Sequence, residues 1–85
     1  MTSRLLLYTR SGCHLCQDML AQARPLAAAH GLEIELIDID DDLQLAKRYN
    51  LRIPVLELDG REICHHFFDQ DAFERALAQT TNSGR

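Results

Sequence analysis

A chain of 85 residues leaves room for one small domain with a limited core, and residues 1–85 are read as that single domain. Its composition, 46% hydrophobic and 26% charged, is that of an ordinary globular protein, while a formal net charge of −4 with scattered Lys and Arg argues against nucleic acid as a partner. The run Leu5-Leu6-Leu7 is far too short to span a bilayer, no cleavable leader is visible, and three cysteines cannot pair off as a disulfide framework, so a cytoplasmic address away from membranes is expected.

The apolar run from Arg4 to Thr9 predicts a buried strand, and Arg10-Ser11-Gly12 a loop. From Cys13 on, Leu15, Met19, Ala23, Leu26 and Ala27 recur at helical spacing. Pro25 has no N–H and crowds the preceding turn, so it is expected to kink or break this helix, which His30-Gly31 then closes. Glu33 to Ile39 alternates as a second strand, partly covered on both sides. Asp40-Asp41-Asp42 reads as an N-cap and acidic first turn for a short helix through Leu43, Ala46 and Tyr49 to Asn50. Calcium would need more ligands at wider spacing than this run offers.

Pro54 to Leu58 reads as a third strand, Asp59-Gly60 as a hairpin turn, and Arg61 to His65 or Phe67 as a fourth strand. Phe67-Phe68 either lines a groove or enters the core. Asp69 or Asp71 caps a last helix carrying Ala72, Phe73, Ala76 and Leu77, and residues 80–85 read as a polar, disordered tail. The order βαβαββα joins a parallel pair to an antiparallel hairpin. It predicts an α/β fold with a four-stranded mixed sheet and helices on both faces.

The chemistry concentrates at Cys13-His14-Leu15-Cys16. A Cys-x-x-Cys pair between a strand and a helix reads as a thiol–disulfide site. Cysteine at a helix N-terminus faces unpaired N–H groups and the positive end of the helix dipole, and both favour the thiolate. His14 would add to that stabilisation as a donor or cation, and Arg10 as a cation on the preceding loop, so both are candidate modulating residues. Cys13, Cys16, Cys64 and His65 or His66 are ligand types that zinc takes, but a compact second pair is missing and no metal is expected. Cys64 alone reads either as a second reactive thiol or as an inert core residue.

The element order, the stretch Leu7-Tyr8-Thr9-Arg10-Ser11-Gly12-Cys13-His14-Leu15-Cys16 and the Ile53-Pro54 opening of the third strand together resemble the glutaredoxin-like branch of the thioredoxin superfamily. That resemblance spans residues 4–79 and implies the thioredoxin fold and a small thiol–disulfide oxidoreductase. It makes Cys13 the catalytic nucleophile and Cys16 the resolving thiol. It also implies a cis bond before Pro54, with Ile53 and Pro54 binding the substrate chain and Cys64 bordering the same groove.

Members of that branch carry Pro-Tyr between the cysteines, and a Gly-Gly pair with a nearby Asp that helps to hold glutathione. This chain has His14-Leu15, and Cys64-His65 in place of the glycines. No cofactor is therefore expected, and glutathione stands beside thioredoxin reductase as a candidate reductant only. The expected partner is a disulfide-containing protein or a small thiol substrate, met by a monomer. The competing reading is a binding module that keeps the fold with non-catalytic thiols or a metal-binding Cys/His site.

Overall fold

The computed structural model describes residues 3–83. Among these, strand β1 (Leu5–Thr9) leads to helix α1 (His14–Ala29), strand β2 (Ile34–Asp38) and a 3-10 turn at Ile39–Asp41. Helix α2 (Leu43–Tyr49), the hairpin strands β3 (Val55–Leu58) and β4 (Arg61–His65), and helix α3 (Gln70–Ser83) follow. The sheet order is β2-β1-β3-β4. β1 and β2 run parallel across the α1 crossover, and the other two pairs are antiparallel, as the element order requires.

The two faces of the sheet are covered by different helices because side chains alternate along each strand. Leu5, Leu7, Leu56 and Leu58 point to one face, where they pack with Met19, Ala23 and Ala27 of α1 and Phe73 and Leu77 of α3. Val55 points the other way and meets Ile39 and Tyr49, with Tyr8, Leu45 and Ile53 around them. β3 has all four residues buried, as a central strand should. In α1 the buried residues Cys16, Met19, Ala23 and Ala27 form one stripe at three- and four-residue intervals.

Of the kink or break expected at Pro25, the break does not occur: α1 continues through it to Ala29. The proline ring and Ala21, the residue whose carbonyl loses its partner, both lie on the exposed side. Water can serve that carbonyl, so the interruption is local. The helix ends in a Schellman arrangement: Leu32 N–H donates to the Ala27 carbonyl at 2.9 Å and Gly31 N–H to that of Ala28 at 3.0 Å.

The acidic run divides its work rather than forming one cap and turn. Asp38 accepts from Asp40 N–H at 2.9 Å to start the 3-10 turn, and Asp42 accepts from Gln44 N–H at 2.8 Å to cap α2, whose own first turn carries no acid. Asp69 rather than Asp71 caps α3, through Ala72 N–H at 3.0 Å. Residues 80–83 of the expected disordered tail are helical instead. α3 runs on to Ser83, because an established helix gains a hydrogen bond with each added residue and no Gly or Pro intervenes before Gly84. Gly84 and Arg85 lie outside the described residues.

Asp59 (φ 52°) and Gly60 (φ 86°) both take positive φ, the type I′ geometry that matches the strand twist. The turn is tied to the start of β1, since Asp59 N–H donates to the Arg4 carbonyl at 2.9 Å and Arg4 N–H to the Asp59 carboxylate at 2.8 Å.

Candidate functional site

The end of β1 delivers the chain to the cysteine pair. Gly12 turns it with φ +76°, a conformation that L side chains rarely adopt. Cys13 N–H donates back to the Arg10 carbonyl at 3.3 Å. Cys13 then sits extended (φ −90°, ψ 104°) as the N-cap of α1, and its Sγ accepts the Cys16 N–H at 3.1 Å. A sulfur thus fills the place that a hydroxyl or carboxylate oxygen usually takes at a helix start.

The two Cα atoms are 5.2 Å apart with the sulfurs at bonding distance, well inside disulfide geometry. Their surroundings differ. Cys13 is half-buried at the rim, while Cys16 is 3% exposed, one turn into the apolar stripe of α1. His14 and Leu15 lie between them on the exposed first turn.

Arg10 is oriented away from the role of a free cation. Its Nε and Nη2 hold both oxygens of Asp40 at 2.9 Å, and its Nη1 donates to Asn50 Oδ1 at 2.9 Å. The guanidinium holds the Asp40 carboxyl below the usual range, and the carboxylate raises Arg10 in turn. The pre-cysteine loop is therefore bolted to the 3-10 turn and to the C-terminal end of α2.

Antiparallel pairing brings Tyr8 opposite Val55 and Val55 opposite His65, so the cysteine loop, Ile53-Pro54 and the end of β4 share one end of the sheet. The Ile53-Pro54 bond is cis. Pro54 is buried, its carbonyl accepts His66 N–H at 2.8 Å, and Ile53 N–H donates to the Tyr49 carbonyl at 3.2 Å.

Cys64, which the resemblance places beside the groove, is 9% exposed in the α1/α3 core, opposite Leu56. Burial pushes that thiol up, partly offset by the backbone N–H of Asp69. Among the described residues no three His, Cys, Asp or Glu side chains gather as a metal site. Of the aromatic pair, Phe68 packs on Phe73 (5.5 Å between centroids), while Phe67 is 70% exposed.

Behind the site lies a buried cluster that sequence reasoning missed. Glu57 is 9% exposed, and its two oxygens accept from Tyr49 Oη at 2.8 Å and Tyr8 Oη at 3.3 Å. The two rings stack at 4.2 Å, and the Arg48 guanidinium lies 5.3 Å from the Tyr49 ring centroid. Burial first, and Glu57 next, push both phenols up. The available signal was the lone acid in the apolar run Val55-Leu56-Glu57-Leu58.

The model of a family described as Glutaredoxin-like domain (DUF836) matches residues 4–78. A protein from Nitrosomonas europaea, solved by solution NMR, superposes with a TM-score of 0.78 at 38% identity, covering 89% of this chain and 92% of its own. A mutant thioredoxin from Halobacterium salinarum superposes with a TM-score of 0.63 at 26% identity, covering 91% of this chain and 73% of its own. An uncharacterised protein of Mycobacterium tuberculosis is 30% identical over 80 residues, which is 88% of this chain and 82% of that protein.

Proposed function

The chain belongs to the Glutaredoxin-like domain (DUF836) family and has the thioredoxin fold, and from that premise we propose that it is a small dithiol–disulfide oxidoreductase. The observation that carries this reading is the asymmetry of the pair: Cys13 caps a helix at the rim while Cys16 is buried one turn behind it.

In the proposed cycle the Cys13 thiolate attacks one sulfur of a substrate disulfide. A Cys13–substrate bond forms, the substrate S–S bond breaks, and the departing thiolate takes a proton from water. Cys16 then loses its proton and attacks Cys13 Sγ. That closes the Cys13–Cys16 disulfide and releases the second substrate thiolate, which takes up the proton that Cys16 gave to water. The substrate gains two electrons and two protons, and the protein dithiol loses them. The Cys16 N–H, already directed at Cys13 Sγ, stabilises negative charge on that sulfur before attack. Because the Ile53 N–H is engaged by Tyr49, the substrate main chain pairs with the Ile53 carbonyl beside Pro54. A second thiol pair, from glutathione or a reductase, reverses the cycle.

Equilibration in graded reduced and oxidised dithiothreitol tests the reading. A reversible two-electron step, lost in Cys13→Ser, is expected. Cys16→Ser is expected to trap a mixed disulfide on Cys13, visible by mass. Absence of a Cys13–Cys16 disulfide at every poise overturns the assignment and leaves a binding module.

A further inference from the structure

Exposed apolar side chains gather on the rim that carries the dithiol. Leu51 is 85% exposed, Phe67 70% and Leu15 38%. Leu15 lies between the two cysteines. Leu51 follows Asn50, which holds the Arg10 side chain, and the Arg10 carbonyl in turn receives Cys13 N–H. His66 joins Leu51 to Phe67 and to the proline: its Nε2 lies 2.9 Å from the Leu51 carbonyl, and its N–H donates to Pro54.

Phe67 is held outward by an uncommon backbone. Phe67 N–H donates to the His65 carbonyl at 2.7 Å, closing a three-residue turn around His66, which takes φ +64°. Turns of this hand are rare for a residue with a side chain. The His66 ring meets the Phe67 ring edge-on at 6.5 Å between centroids.

The two arginines of this rim are paired within the chain. Arg10 is held by Asp40, and Arg52 by Glu62, which also takes His65 Nδ1 at 2.7 Å. The chain as a whole is acidic, at −4. A small disulfide bearing several carboxylates needs cations or N–H groups to receive them, and Arg10 and Arg52 are already paired with the protein's own carboxylates. A polypeptide that presents apolar side chains gains instead by covering Phe67 and Leu51.

We propose that Leu51, His66 and Phe67, together with Leu15, form a docking platform for a polypeptide whose disulfide is flanked by apolar side chains, in preference to a small acidic disulfide. This rests on the redox reading above. The occupant's apolar side chains lie against Phe67 and Leu51 while its main chain passes the Ile53 carbonyl.

The test uses reduced full-length protein and three oxidants. Oxidised dithiothreitol reports the dithiol alone. Two peptides of equal length report selectivity, one with Leu and Phe beside its disulfide and one with Glu at the same places. The apolar peptide is expected to react about tenfold faster than the acidic one. That ratio is expected to fall towards one in Phe67→Ser/Leu51→Ser, and to stay in Leu36→Ser, a control at an exposed leucine on the far edge strand β2. Equal rates with the two peptides, or a ratio unmoved in the double variant, overturn the platform while the dithiothreitol reaction stands. Failure of the dithiothreitol reaction itself overturns the redox reading beneath it. Sedimentation that shows a dimer dispersed by Phe67→Ser assigns the face to a second copy of this chain and overturns the polypeptide occupant.

Discussion

Cys64 lies 9% exposed among Leu56, Phe73 and the α1 stripe, and burial pushes its thiol up, away from the reactive thiolate. Cys13 stands at the rim with a backbone N–H on its sulfur. In the reduced protein, iodoacetamide is therefore expected to modify Cys13 first, with a pH midpoint below the value of about 8.5 for a free cysteine. Cys64 is expected to react on the order of a hundredfold slower, because its thiol must wait for local opening of the core. Peptide mapping after timed alkylation reads both rates, and comparable rates at the two positions would contradict the burial argument. From sequence alone Cys64 was open to either role. Strand periodicity placed it on β4 but did not say which face it shares, and the register shift between Leu56 and Glu57 enters that choice.

Arg10 shows how an element can be fixed by contacts that no local pattern reveals. The loop before α1 carries the nucleophile, and it is braced by one planar guanidinium to Asp40, 30 residues on, and to Asn50, 40 residues on. Local signals identified the loop, the helix start and the aspartate cap, because each depends on neighbours within four residues. They left Arg10 as a candidate cation for the thiolate, since its long-range partners depend on where α2 docks. Arg10→Ala is expected to free the loop, giving faster amide exchange at residues 11–13 and a lower unfolding midpoint. Arg10→Lys should recover little of either, because an ammonium cannot reproduce the two-pronged contact with Asp40 while also reaching Asn50. Full recovery by lysine would show that charge rather than geometry is what matters there.

The sheet with helices on both faces was legible from sequence because strand and helix periods differ and the Asp59-Gly60 turn fixes the hairpin. The buried Glu57 was not, because a carboxylate on a central strand becomes tolerable only once Tyr8 of β1 and Tyr49 of α2 have converged on it. That cluster fastens α2 to the sheet and makes stability depend on alkaline pH. Both phenols hold their protons more tightly when folded than their ordinary value of 10.0. The stability they contribute is therefore fully present below pH 10 and is lost as pH rises through their raised folded values. The window is clean in oxidised protein carrying Cys64→Ala, since the paired cysteines do not titrate and the sequence has one lysine and two tyrosines. Urea midpoints measured from pH 8 to 11.5 are expected to stay level and then to fall. Glu57→Gln removes the charge but keeps an acceptor, so it should make that fall shallower without abolishing it, because burial is the larger cause of both shifts. Glu57→Ala removes the acceptor of both hydroxyls, and the loss at the buried Tyr49 hydroxyl should cost roughly 1–3 kcal/mol. An alkaline profile identical in wild type and Glu57→Gln would remove the carboxylate from this account and leave burial alone to explain it.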